Sequence, residues 1–351
     1  MAKTPSWNDD IEREVASYQG NMTPLAKSLS RITNRAIDGL ISDVRAMMER
    51  GRYADQPAAI FLNGFADSAT IIRMQALLKA VPERYRETIW KSITGQIAHH
   101  RMTNIRAIRT LARLNCYAVL DDMLYTTARI LSEVAKDGYY RGTFVLQKET
   151  GMGWAVDAIK GGRVQVIVDS VFDLPDARRY MDPLVDFSSK TVINSMLRGL
   201  PPDMVSKSVD DIKGAMRFRS KREARTVITE TAGEAHMEAY KKHGVSQYRF
   251  MASYDERTCP VCGRLDGKIF DRDKAQVGVN YPPMHPNCRC TTVAYLGKDI
   301  EELSAPRAIR DDATGEMVPV PHDYTYEQWY THLGPGRKDG VAYKPKFKKK
   351  D

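Results

Sequence analysis

Apolar residues recur every three or four positions through residues 1–137, which predicts a succession of amphipathic helices. The first helix should begin at Thr23-Pro24, where an N-cap residue precedes a proline in the first helical position, and it should end near Gly51. Its apolar stripe consists of Leu25, Leu29, Ile32, Ala36, Leu40, Val44 and Met47. Most of this stripe should form core within the chain, although it is long enough to serve a partner as well.

The same periodicity predicts further helices in this region. One should begin at Pro82, a second at about Thr103, and a third should run from Ala118 and stop at Gly138. Cys116 stands alone in apolar surroundings, which is typical of a buried thiol. The N-terminal region is therefore expected to be mainly α.

Beyond Gly138 the pattern changes. Residues 163–168 alternate apolar and polar side chains and are rich in β-branched residues, which favours a strand. Short helices should then lead to a turn at Gly199, and a long helix should run from about Ser220 to His243. The small residues on its inner side, which imply close packing, are Ala232, Ala235 and Ala239.

Four of the five cysteines fall within 32 residues. Cys259 and Cys262 form a Cys-x2-Cys pair, and His285, Cys288 and Cys290 form a His-x2-Cys-x-Cys group about 20 residues later. This is zinc spacing, because two ligands on a tight turn meet others from a distant rigid loop and complete a tetrahedron. Disulfides are the competing explanation, but the first residues do not form a secretory signal, so a reducing cytosol is expected.

Five donors compete for four positions around one structural zinc per chain. If Cys288 and Cys290 lie on an extended segment, both point to the same side and can bind with Cys259 and Cys262, which leaves His285 in an outer position. Alternatively, His285 and Cys288 mirror the first pair and Cys290 is spare. In both cases the site is closed, which is typical of structural rather than catalytic zinc.

The net charge of +9 is concentrated in a short tail. Residues 336–351 contain seven Lys or Arg and two Asp, so they carry more than half of the excess. A tail of this kind is expected either to make weak, salt-sensitive contact with nucleic acid or only to increase solubility. The basic cluster at 217–225 can bind phosphate or an acidic partner, or form a solvated helix face. No apolar stretch approaches the roughly 18 residues of a membrane span, so no membrane contact is expected.

Several motifs follow one another in a specific order along the second half of the chain. They are Arg225 with Thr229-Glu230, then Asp255-Glu256-Arg257-Thr258-Cys259-Pro260-Val261-Cys262, Leu265-Asp266-Gly267, and Pro282-Pro283-Met284-His285-Pro286-Asn287-Cys288-Arg289-Cys290-Thr291-Thr292. This order resembles the phage head morphogenesis family, the Mu F-like minor capsid proteins, over about residues 185–297. The resemblance implies a low-copy virion component inside the phage head, assembled in the host cytoplasm with portal, capsid or scaffolding proteins. It also implies a part in DNA packaging or ejection, and because the residues form no complete catalytic constellation we expect no enzymatic activity.

The expected fold is thus a mainly α N-terminal region with a small α+β C-terminal module stapled by zinc. Residues 1–137 should form a helical arm, residues 138–199 a hinge region, and residues 200–300 the Mu F-like module. Residues 301–351 should form a short aromatic helix and the basic disordered tail.

Two other functions compete with this interpretation. A metal-dependent nuclease needs carboxylates or a second histidine to hold a hard cation, but His285 is the only histidine between His243 and His322. A zinc-containing DNA-binding protein needs a basic surface around the metal, but residues 251–295 carry six basic and five acidic side chains. Neither pattern is complete in this sequence.

Overall fold

A computed structural model describes residues 20–97, 102–150, 159, 161–171, 178–253, 257–297, 307–310 and 317–320. The helices are α1 (Met22–Arg50), α2 (Ala58–Asn63), α3 (Ser68–Ala80), α4 (Glu83–Ile97), α5 (Asn104–Ala118), α6 (Leu120–Thr150), α7 (Gly161–Val171), α8 (Arg178–Leu197), α9 (Pro202–Lys242) and α10 (Pro260–Leu265). The strands are β1 (Gln247–Met251), β2 (Ile269–Asp271), β3 (Thr291–Tyr295), β4 (Arg307–Arg310) and β5 (Met317–Val320). The predicted mainly α architecture with a small α+β part near the C-terminus is confirmed.

The chain forms two compact units, each assembled from separate stretches of sequence. The helical unit comprises residues 24–129 and 173–221, and the mixed unit comprises the described parts of residues 1–23, 130–172 and 222–351. Helices α6 and α9 contribute residues to both units. The boundaries expected after residues 137, 199 and 300 stay predictions. In the described part of the chain, no helix is long and apolar enough to cross a bilayer.

The core of the helical unit is built on the stripe of α1. All seven residues of the predicted stripe are buried, with exposed fractions of 8% or less. Helix α5 packs against α3 and α8 in the same unit. Cys116 on α5 is buried as predicted, and burial raises its thiol pKa to about 12. The stripe is therefore used within the chain and offers no free apolar face to a partner.

In the mixed unit, α6 passes straight through Gly138 and reaches Thr150, so the predicted stop at Gly138 was wrong. The glycine serves close packing instead. A Cβ atom at Gly138 would lie 3.2 Å from the Cβ of Ala235 and 3.5 Å from the Cα of Ala232. The predicted close packing of small residues on α9 is thereby confirmed, and α6 is the helix that they contact.

The strand predicted at residues 163–168 was wrong, because this stretch lies within α7. The buried side chains are Val164, Ile167, Val168 and Val171, which follow helical spacing, while Val166 is 54% exposed. Arg163 donates a hydrogen bond from Nε to Glu238 on α9 over 2.8 Å. Tertiary packing of one helical face outweighs the β-propensity of the valines and isoleucine.

Other boundaries also differ from the expectations. A single helix, α8, stands where short helices were predicted, and α9 begins at Pro202 instead of Ser220. Helix α3 was not predicted, although Asp67 caps it by accepting a hydrogen bond from the Thr70 N–H over 2.6 Å. The ends expected near Gly51 and Gly244 are confirmed. The paired His99-His100, the aromatic segment 324–330 and the tail 336–351 lie outside the described residues.

The sheet that positions the cysteines has the antiparallel order β2-β1-β3. Tyr248 in the central strand pairs with Phe270 on one side and Ala294 on the other. Tyr281 packs edge-on against Tyr248, and its hydroxyl donates to the Gly233 carbonyl of α9 over 2.8 Å. These contacts hold the loop before β3 against both the sheet and α9.

Candidate metal centre

The first two donors lie at the start of α10. Cys259 is the N-cap residue, and its Sγ accepts a hydrogen bond from the backbone N–H of Cys262 over 3.4 Å. Pro260 occupies the first helical position, where its missing N–H has no consequence. The Cys-x2-Cys spacing therefore places both sulfurs on the same side of one turn.

The other three donors lie in the turn that precedes β3. The Cys288 N–H donates to the His285 carbonyl over 3.1 Å, which closes the turn. Asn287 has a φ of 71°, in the left-handed region that asparagine adopts more readily than most residues. Cys290 directly precedes the first residue of β3, so the sheet fixes its position.

An apolar shell encloses the sulfurs. Cys262, Cys288 and Cys290 are buried in one cluster with Phe250 and Ala252 from the end of β1. Partly buried side chains complete the shell, namely Leu265, Phe270 and Met284. Such a shell limits access of water to the donors.

All five predicted donors are brought together, in two triads that share Cys262. One triad is Cys259, Cys262 and His285, and the other is Cys262, Cys288 and Cys290, with the donor atoms of each triad within 4.8 Å of one another. Both triads can hold a metal ion. The cysteines are free thiols, so the disulfide alternative finds no support in the structure.

The histidine is oriented as a metal ligand would be. His285 Nε2 lies 3.4 Å from the Cys262 Sγ, and its Nδ1 lies 3.0 Å from the Pro286 carbonyl oxygen. In the tautomer that carries its proton on Nδ1, this nitrogen donates to the carbonyl and the lone pair of Nε2 faces the sulfurs. Metal-bound histidines are typically held in this way.

Electrostatics adjusts the first triad toward metal binding. Burial raises the pKa of the Cys259 thiol, but hydrogen bonds from the backbone N–H groups of Cys262 and Val261 outweigh it and hold the pKa below its usual range. Burial lowers the pKa of His285, but the Pro286 carbonyl and the sulfurs of Cys288 and Cys259 outweigh it and raise that pKa. The imidazole therefore lies in an electronegative site that attracts a cation.

The three cysteines of the second triad are hydrogen-bonded to one another. Hydrogen bonds from Cys262 and Cys290 lower the pKa of Cys288, and the contact with Cys288 raises the pKa of Cys262. One thiolate is thus stabilised by two neighbours that keep their protons. A metal ion would replace those protons, because thiolate is the form that binds metal.

Helix α9 anchors the turn that carries these donors. The Arg225 Nη1 donates to the Asn287 Oδ1 over 2.7 Å, and the Asn287 N–H donates to the Thr226 hydroxyl over 2.9 Å. The Thr229 hydroxyl donates to the Cys288 carbonyl over 3.2 Å. We call Arg225, Thr226, Thr229 and Asn287 the latch. Thr226 was not identified from the sequence, because its role depends on contact with a turn about 60 residues away.

The acidic residues near the site have other partners. Asp266 accepts a hydrogen bond from the Ala252 N–H over 2.9 Å, Asp271 pairs with Lys274, and Asp273 pairs with Arg272. Among the described residues, no carboxylate joins either triad. Thiolate and imidazole donors fit zinc, whereas magnesium and calcium prefer oxygen ligands.

Residues 189–293 match the family model described as Phage Mu protein F like protein. The match confirms the resemblance expected over about residues 185–297, and it covers less than a third of the 351-residue chain. It contains all five donors and the whole latch. No curated protein and no solved structure matches the chain.

Proposed function

We propose that this protein is a minor structural component of a tailed-phage head, present in few copies and in contact with the portal or the inner capsid. The observation that carries the proposal is that the matched segment, residues 189–293, coincides with the donors and the latch. The protein would be assembled with the head in the host cytoplasm and would act as a scaffold element rather than as an enzyme.

We propose further that one structural zinc ion joins α10 to the turn before β3. When bound, the ion would supply a crosslink between these two segments. Of the two ligand sets, we propose Cys259, Cys262, His285 and Cys288, with Cys290 spare, which is supported by the position of the His285 Nε2 at 3.4 Å from the Cys262 Sγ. A hydrogen bond from Nδ1 to the Pro286 carbonyl would hold the His285 ring with Nε2 toward the sulfurs, as in metal-bound histidines.

The composition of particles tests the role in the head. Purified virions and particles emptied of DNA should be compared by quantitative mass spectrometry, with the major capsid protein as the internal standard. We expect a few copies per virion, and the emptied particles show whether the protein leaves with the DNA. Absence of the intact protein from both virions and procapsids would overturn the assignment. Metal-dependent cleavage of plasmid DNA by the pure protein would favour the nuclease instead.

Metal analysis of single variants tests the ligand set. The protein purified without chelator should contain about one zinc per chain. Cys259→Ser, Cys262→Ser and Cys288→Ser should lose the metal, whereas Cys290→Ser should retain it. If Cys288→Ser retained zinc and Cys290→Ser lost it, Cys290 would be the fourth ligand and Cys288 the spare cysteine. Absence of metal from the unaltered protein would refute the zinc proposal.

Contacts with partners are expected from side chains that do not belong to the core and from the basic tail. Because the apolar stripe of α1 is buried, contact of the N-terminal helices with a head protein must use other side chains. Ile60→Ser and Ile72→Ser, at exposed positions of α2 and α3, should reduce incorporation into particles if this region is the arm. Deleting the tail 336–351 should weaken DNA binding and reduce its dependence on salt, and an unchanged salt slope would place that contact elsewhere.

A further inference from the structure

The outer face of α9 between residues 211 and 221 has an unusual composition. The inner face of this stretch is buried and includes Ile212, Met216 and Ser220. The outer face is exposed, and its residues are Asp211, Gly214, Ala215, Arg217, Phe218 and Lys221. Phe218 is 69% exposed, on the side of the helix opposite the core. The combination of this aromatic side chain with an exposed glycine and opposite charges on one face makes it a candidate interaction surface.

These exposed residues follow the spacing of a helix–helix seam. The steps between Asp211, Gly214, Phe218 and Lys221 are three, four and three residues, which places all four on one stripe. At Gly214 an added Cβ would have no atom within 4 Å, so this glycine leaves a notch on the surface. Since glycine weakens a helix interior, its position is not explained by packing within the chain.

The stripe is complementary to itself when its direction is reversed. If two copies of α9 lie antiparallel with their outer faces in contact and the two residues 216 at the same level along the axes, Asp211 of one copy meets Lys221 of the other. The same arrangement places Phe218 over the notch at Gly214. Both contacts occur twice about a twofold axis, as an isologous interface requires. We infer that the protein self-associates through this face of α9, as an antiparallel pair of helices between two copies of the chain.

Arg217 and Lys221 make one end of the face basic, but the acidic end of the stripe favours a second copy over nucleic acid. Asp211 lies on the same stripe as Phe218 and would repel a phosphate backbone, whereas an antiparallel copy offers it a lysine. On the flank of the helix, Lys213 forms an ion pair with Asp38 of its own unit. Neither Asp211 nor Lys221 has an ion pair with a described residue of its own chain.

The seam is about three helical turns long, so it buries less than a standard interface of roughly 1,600 Å². A dimer held by this seam alone is therefore weak. Association should be measured by sedimentation velocity and equilibrium over a wide range of concentration, where the unaltered chain should show a reversible monomer–dimer equilibrium. The inference is independent of the proposed function, because self-association is measured on the pure protein without particles.

Substitutions at the notch and the anchor test the packing. Phe218→Ala should weaken association by at least about tenfold. Gly214→Gln should do the same by filling the notch, while raising the melting temperature by about 2–4 °C because it improves helix propensity. Tyr125→Ala, at another exposed aromatic residue of the helical unit, is the matched control and should change neither quantity.

A charge exchange tests the antiparallel register. Asp211→Lys and Lys221→Asp should each abolish association, because each places like charges opposite one another twice. The double variant should restore it, and pairing between two copies in this register predicts that rescue. A monomer at all concentrations, or association that is insensitive to Phe218→Ala and Gly214→Gln, would overturn the inference. Loss of DNA binding in these variants without a change in association would assign the face to nucleic acid.

Discussion

The helical unit and the cysteine-containing part of the mixed unit are stabilised by different means. In the helical unit, several helices bury long aliphatic side chains such as Leu40, Ile108 and Leu111, and many residues share the stabilisation. Around the metal centre, strands of three to five residues enclose three buried thiols with Phe250 and Ala252. So small a core supplies little hydrophobic stabilisation, and small domains of this kind typically depend on a metal or a disulfide. The comparison shows that stability concentrated in a few donors depends on their ligation.

Removal of zinc should produce the largest difference in stability between the two regions. With a chelator, residues 247–295 should lose hydrogen-exchange protection, because a structural zinc contributes on the order of 10 kcal/mol to such modules. Residues 24–129 should keep their protection, since their core contains no proposed ligand. Hydrogen-exchange mass spectrometry with and without chelator measures both regions at once. Equal loss of protection in both would show that they unfold as one, and Cys259→Ser should reproduce the chelator effect.

Truncation of an aliphatic core side chain should destabilise the helical unit and leave the metal centre unaffected. Leu40→Ala should lower the free energy of unfolding of the helical unit by about 2–5 kcal/mol, because it leaves a cavity in the α1 stripe. Zinc affinity should be unchanged. Urea denaturation followed by circular dichroism gives the first quantity, and a competing chromophoric chelator gives the second. Ile72→Ala is the matched control, because Ile72 is 65% exposed, and it should change stability by less than about 0.5 kcal/mol.

Loss of the latch should affect the metal centre without removing a ligand. Arg225→Met keeps the apolar stem but deletes the hydrogen bond to Asn287, and it should weaken zinc binding by about 10–100-fold, as outer-sphere substitutions typically do. Arg222→Met, one turn earlier and exposed, is the control and should leave zinc affinity unchanged.

The variant Asn287→Gly distinguishes the side-chain contact of the latch from strain in the backbone of residue 287. Glycine adopts the positive φ of this position without strain, so the variant deletes only the side-chain contact. It should weaken zinc binding as much as Arg225→Met does. Unaltered affinity in both variants would mean that the turn is held by the backbone alone.

The pH dependence should have opposite signs with and without metal. The pKa of His285 is raised, so in the metal-free protein its protonated form contributes stability that is present below the unfolded pKa of about 6.5 and is lost as pH rises through the folded pKa. With zinc, protons compete with the metal for the thiol donors as well as for His285, so affinity should fall as pH drops, by about tenfold per unit for each donor that takes up a proton. Titration of zinc affinity and of thermal stability between pH 5 and 8 measures both. His285→Ala should make the fall of zinc affinity with pH shallower, and an unchanged slope would remove His285 from the ligand set.

Local signals in the sequence were sufficient for several features. The spacing of apolar residues predicted α1, α4 and α5 because one buried face imposes a period of 3.6 residues wherever the helix packs. The spacing of the cysteines and His285 predicted the gathering of five donors, since a tetrahedral ion restricts how its ligands can be arranged. The motifs around those donors were enough to identify the family resemblance that the match confirms.

The sequence by itself determined where apolar faces and metal donors lie, because both are repeated or clustered along the chain. Tertiary structure alone decided that residues 161–171 form a helix, that α6 continues through Gly138, and that Thr226 holds the turn of Asn287. Each of these outcomes depends on a neighbour distant in sequence: Glu238 for α7, Ala235 for Gly138, and α9 for the turn. Local propensities differ by about 1 kcal/mol or less per residue, so a few packing contacts or hydrogen bonds with such distant partners are enough to override them.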